Sequence, residues 1–92
     1  MFLVSYDISN DKLRTKFSKF LKKYGVPVQY SVYRIKNSKR LLDIIANEVD
    51  IVYKKQFKQT DSVYIFRICE GCQKNIKKYG YAVFEEQDTI KL

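Results

Sequence analysis

Residues 26–36, VPVQYSVYRIK, decide the fold. The run is β-branched and aromatic, a strand composition. Pro27 has no N–H to give to a ladder and belongs at the start or edge of a strand. Strict alternation slips between Gln29 and Ser31, so the run is either one kinked strand or two short ones. Two short strands would complete a β-α-β-β-α-β order, the ferredoxin-like arrangement.

The flanking segments supply the other elements. Residues 2–8, FLVSYDI, put Phe2, Val4, Tyr6 and Ile8 on one face of a strand and Leu3, Ser5 and Asp7 on the other. SNDK then opens a helix with Ser9 or Asn10 as N-cap and Asp11 in the first turn. Leu13, Phe17, Phe20, Leu21 and Tyr24 repeat along one helical face, and Gly25 is read as the C′ stop. Downstream, Ser38 caps a second helix over roughly 39–56, with Leu41, Leu42, Ile45, Val49, Val52 and Tyr53 as a broad apolar face. QTDS is a turn, VYIFRIC (63–69) a strand, and EGCQKNIKKYG a connector with room for a helical turn. YAVFEE to TIKL reads as one or two terminal strands. The strand after each helix is expected to return beside the first, with both helices on one face of the sheet and the other face open. The expected architecture is one α+β, ferredoxin-like domain over 1–92, with 81–92 as an additional C-terminal strand or tail.

A 92-residue chain has room for one core. A domain this small buries only about 60% of its unfolded surface, which makes dimerisation a natural supplement. No run approaches the ~20 apolar residues of a membrane span, and MFLVSY reaches Asp7 too soon for a signal peptide. The expected location is the cytoplasm, with no membrane partner.

The net charge of +8 is unevenly placed. Residues 1–40 hold ten Lys or Arg against Asp7 and Asp11, whereas residues 41–92 hold eight charges of each sign. Lys12, Lys16, Lys19 and Lys23 fall at i, i+4, i+7 and i+11 of the first helix, a stripe along one flank of its apolar face, and Arg14 lies on the other flank. Such a row repels itself unless a polyanion offsets it, which points to nucleic acid; the alternative is a solvated helix face rich in a good helix former.

The chemical inventory is short. Without histidine there is no imidazole acid/base chemistry or metal ligation. Gly-rich phosphate loops and nucleophile elbows are also absent from the sequence. Cys69 and Cys72 form one C-x-x-C, half of a four-cysteine zinc site; two reduced thiols, a site shared across a dimer and a redox pair all satisfy that spacing. Asp7, at the carboxyl end of the first strand, is a turn former, a helix-start charge or a metal ligand. One carboxylate is a poor cage, but Mg²⁺ commonly binds through one or two carboxylates and keeps several waters. Two chains with facing Asp7 side chains would supply the pair. The aromatics could stack bases as in an RNA-recognition module, but most lie on apolar faces and are expected in the core.

YDIS (6–9), the block from Tyr24 and Gly25 through Val28, Gln29, Ser31 and Val32, DSVYIFRICEGC (61–72) and a later YG before a strand together resemble the small CRISPR-associated adaptation proteins, the family Cas-two. The likeness runs through nearly the whole chain. It implies a ferredoxin-like homodimer in which the aspartates ending the first strand, here Asp7, face each other and can bind Mg²⁺ as the catalytic and metal-binding residue. It also implies a dimer that holds duplex DNA by its backbone and bridges dimers of a partner integrase during spacer acquisition. The start of the first helix contributes to that grip: Lys12 and Arg14 by resemblance, with Lys16, Lys19 and Lys23 added by the stripe. Tyr81 to Leu92 would serve in dimer or integrase docking. The alternative main role is a slow Mg²⁺-dependent endoribonuclease, CRISPR-linked or toxin-like, acting on single-stranded RNA.

Overall fold

The computed structural model describes residues 1–77 and 79. Along the chain run β1 (Phe2–Asp7), α1 (Asp11–Lys22), β2 (Gly25–Gln29), β3 (Val32–Ile35), α2 (Lys39–Glu48), β4 (Ser62–Arg67) and α3 (Glu70–Lys74). The terminal strands read from YAVFEE to TIKL, and with them the docking segment 81–92, lie outside the described residues.

The ambiguous run at 26–36 is two strands. Tyr30 and Ser31 turn the chain between them, and Ser31 takes the left-handed backbone conformation at φ 64°. Val32 pairs with Gln29 but Tyr33 pairs with Pro27, so Val28 is an extra residue in β2. That β-bulge is the cause of the slipped alternation. The chain order is therefore β-α-β-β-α-β, and the fold is α+β and ferredoxin-like.

The sheet order is β2-β3-β1-β4, antiparallel throughout. This corrects the expectation that the strand after each helix lies beside the first. β4 does, but the tight hairpin carries β3 into the place next to β1 and leaves β2 at the edge. Pro27 thus sits on an edge strand, where its missing N–H costs no internal ladder bond.

Phe2, Val4, Tyr6 and Ile8 are buried together with Leu13, Phe17, Phe20 and Leu21 of α1, Tyr33 and Ile35 of β3, Ile45 of α2, and Tyr53. Aromatic edges interlock in this core: Phe17 meets Tyr6 at 5.1 Å and Tyr53 at 4.9 Å between ring centroids, both near-perpendicular. Burial raises the phenol pKa of both Tyr6 and Tyr53. Asn10 is the N-cap of α1, its side-chain oxygen accepting from the Leu13 N–H at 2.9 Å. Ser38 caps α2 in the same way, as expected.

Helical structure extends to Gln56, as the sequence predicts, but its geometry changes on the way. Beyond Glu48 the chain widens into a π-turn over Val49–Tyr53, then tightens into a 3₁₀ turn over Lys54–Gln56. Eight residues at 100° would leave Tyr53 about 80° around the helix from Ile45. A wider turn rotates less per residue and brings Tyr53 back toward the core side.

Gly25 is not a helix stop. α1 ends at Lys22 with Lys23 still right-handed, and Gly25 opens β2. A Cβ there would run into the Arg34 carbonyl and the end of the Ile35 side chain. The position needs a glycine for close strand approach rather than for a left-handed cap.

Candidate functional site

Asp7 ends β1 on the face turned away from the helices, paired in register with Ser62 of β4. The alternation that buries Tyr6 exposes Asp7. The nearby polar groups are engaged elsewhere. Asp61 holds the turn before β4 against the chain entering α1: its carboxylate accepts from the Lys58 N–H at 2.8 Å and from the N–H and hydroxyl of Ser9 at 2.9 and 3.0 Å. The Lys58 and Ser9 amides hold the Asp61 pKa below the usual carboxylate value. Ser9, read as an alternative N-cap, spends its donors on Asp61. Tyr6 points into the core, with Ser18 beside its hydroxyl. Neither serves Asp7.

Among the described residues no group of three or more cysteine or acidic side chains gathers as a metal cage. Among the described residues, one uncommitted carboxylate, that of Asp7, stands at the end of β1. That donor set suits Mg²⁺ only where a second copy or phosphate oxygens complete it.

The lysine stripe is present as a surface. Lys12, Lys16, Lys19 and Lys23 are all exposed along α1. The stripe belongs to the helix layer and Asp7 to the open face, so the two meet only at the end of the molecule where β1 passes into α1. From Lys12 to Lys23 the stripe runs about 16 Å along the helix. Arg14 is partly spent inside the fold: Nη1 donates to the Ile8 carbonyl at 3.0 Å and Nη2 pairs with Asp11. Its hydrogen bond to Asp11 raises its pKa further.

Two residues the stripe reading missed extend the basic surface. Lys58, just past the helical segment, shares a groove with Lys12, Lys16 and Gln56. Lys22 lines a second groove of about 350 Å³, with Lys19, Arg14, Ser18 and Tyr30, between α1 and the β2–β3 hairpin. Helical periodicity along α1 has no means of finding Lys58, which arrives through tertiary packing.

The open face carries an exposed aromatic patch among polar residues. Leu3 and Ser5 of β1 stand opposite Phe66 and Tyr64 of β4 on one side and Arg34 and Val32 of β3 on the other. The Tyr64 and Phe66 rings stack with centroids 6.0 Å apart, and they are 60% and 48% exposed. Most described aromatics are indeed in or against the core, but Tyr30, Tyr64, Phe66 and Tyr79 are not.

A four-stranded antiparallel sheet, helices on one face, an exposed aromatic patch on the other and a basic first helix define a ferredoxin-like protein. The family is equally clear: the model for CRISPR associated protein Cas2 matches residues 1–76, and this chain belongs to that family. Its relatives include proteins named CRISPR-associated endoribonuclease Cas2 2 of Methanospirillum hungatei, 33% identical over 85% of this chain and 83% of its own, and Cas2 3 of Chloroflexus aurantiacus, 34% identical over 95% and 90%. Among solved structures, Streptococcus pyogenes Cas2 shares the fold with a TM-score of 0.69 over 86% of this chain and 98% of its own, at 20% identity. A hypothetical protein, TT1823 of Thermus thermophilus, superposes with a TM-score of 0.64 over 74% and 79%, at 29% identity.

Proposed function

We propose that this chain serves CRISPR adaptation as a homodimer that holds duplex DNA by its backbone and bridges dimers of a partner integrase while a spacer is inserted. The observation that carries the reading is the exposed row Lys12, Lys16, Lys19 and Lys23, extended by Lys58. A helix with lysines at this spacing meets successive phosphates without reading bases. Arg14 contributes mainly by holding the start of α1 in place, because its guanidinium is bound to Ile8 and Asp11. Docking of the integrase is assigned to 81–92.

A second reading rests on Asp7 and on the relatives named as endoribonucleases. Facing Asp7 carboxylates of two copies would hold Mg²⁺, which when bound acidifies a water and neutralises phosphoryl charge. The chain itself adds little to the hydrolysis. Ser9 and Tyr6 are turned to other partners, so among the described residues no side chain beside Asp7 stands ready as a general base, and cleavage of RNA or DNA is expected to be slow.

Spacer acquisition beside the partner integrase, with wild-type and Asp7→Ala proteins, separates the two. Acquisition that survives the substitution while Mg²⁺-dependent cleavage disappears makes the protein architectural. Loss of both makes the metal site central. Acquisition unaffected by replacing all four stripe lysines with alanine would overturn the DNA grip.

A further inference from the structure

The nucleic-acid reading leaves Cys69 and Cys72 unused. Both thiols are free and exposed where β4 leaves the sheet. Cys69 Sγ accepts the Cys72 N–H at 3.3 Å. The backbone bond from Cys72 and the thiol contact lower the Cys69 pKa, while the same contact raises that of Cys72. The contact favours the thiolate on Cys69 over that on Cys72, which makes Cys69 the readier nucleophile of the pair.

The surroundings specify a reactant. Cys69 lines a groove of about 600 Å³ together with Arg34, Lys36, Arg67, Glu70 and Gln73. Three side-chain cations and the Met1 ammonium face one carboxylate. Arg34 Nη1, furthermore, is buried, and among the described residues it has no hydrogen-bond partner, a guanidinium donor that none of them satisfies. Met1 and Ile68 exchange backbone hydrogen bonds at 2.8 and 3.0 Å and brace the adjoining strand end.

We propose that Cys69 and Cys72 are a redox-active dithiol whose oxidant is the disulfide of an anionic low-molecular-weight thiol, seated on Arg34, Lys36 and Arg67. The Cys69 thiolate attacks one sulfur of the small disulfide, whose S–S bond breaks, and the released thiolate takes up a proton. Cys72 then loses its proton and attacks Cys69 Sγ, expelling the second small thiol. Two electrons pass from the dithiol to the small disulfide, leaving a Cys69–Cys72 bond and two small thiols. That bond ties 69–72 into one ring at the point where the chain leaves β4.

Intact mass spectrometry of the reduced, full-length protein with glutathione disulfide tests the chemistry. Wild type should lose two hydrogens without accumulating adduct, Cys72→Ser should trap one glutathione on residue 69, and Cys69→Ser should react about tenfold more slowly than Cys72→Ser. Cystamine, a cationic disulfide, tests the seat, with rates normalised to 2-mercaptoethanol. The normalised preference for glutathione disulfide over cystamine should exceed one and fall about threefold in Arg67→Ala, or in Lys36→Ala if Arg67→Ala does not fold. A persistent adduct on wild type, equal reactivity of the two single-cysteine variants, or a preference that neither variant changes would overturn the proposal.

Discussion

Gly25 has no room for a methyl group, because the Arg34 carbonyl and the Ile35 side chain occupy the space a Cβ would take. Gly25→Ala must push β2 from β3, and thermal unfolding should show a loss of about 2–3 kcal/mol, the cost of overpacking a closed site. A control at Gly71, where a Cβ meets nothing, should change stability far less. Asp61 predicts through charge instead. Its pKa is lowered in the folded protein by the Lys58 and Ser9 donors, so its contribution is complete above the unfolded carboxylate value near 4 and is lost as pH falls through the lower folded value. Asp61→Ala should lower Tm at pH 7, and the gap from wild type should close toward pH 2–3. A gap constant across that range would remove the carboxylate charge from the account.

At the scale of elements, the legible features were those whose cause lies within a few residues. The span of α1 follows from the Asn10 cap and the apolar repeat from Leu13 to Leu21, and both helix caps are local bonds. The strand facing of β1 follows from alternation alone. Tertiary causes stayed hidden. Ser31 makes the hairpin with a positive φ that its side chain does not advertise, and the bulge at Val28 exists only relative to Val32 and Tyr33. The clamp from Asp61 to Ser9 joins residues 52 positions apart. The candidate site divides the same way: the stripe on α1 was readable, whereas Lys58 beside it and the engagement of Arg14 with Ile8 depend on tertiary packing. The stripe itself makes a quantitative prediction. Each lysine that meets a phosphate should contribute about 0.9 to the slope of log affinity against log salt for duplex DNA. Lys16→Ala should therefore lower the slope by about 1 per engaged helix, evenly across unrelated sequences. An unchanged slope would leave Lys16 as a solvated surface residue.

For the whole molecule, the decisive question is what covers the open face. Tyr64 and Phe66 form a stacked, half-exposed pair beside Leu3 on the face that also carries Asp7. A chain of 92 residues that leaves such a surface to water forgoes burial it can hardly spare. In the proposed dimer the same contact would bury these rings and bring two Asp7 side chains together, which links assembly to metal chemistry. Phe66→Glu separates the possibilities because it leaves Asp7 and the lysine stripe intact. Sedimentation should shift it to monomer, and Mg²⁺-dependent cleavage should fall at least as far as in Asp7→Ala. Duplex affinity should also weaken by about 10- to 100-fold, since two helices on one DNA are replaced by one. A Phe66→Glu protein that stays dimeric would move the interface off this face. A monomer that still cleaves at the wild-type rate would show that one Asp7 suffices, and pairing would no longer be the condition for its chemistry.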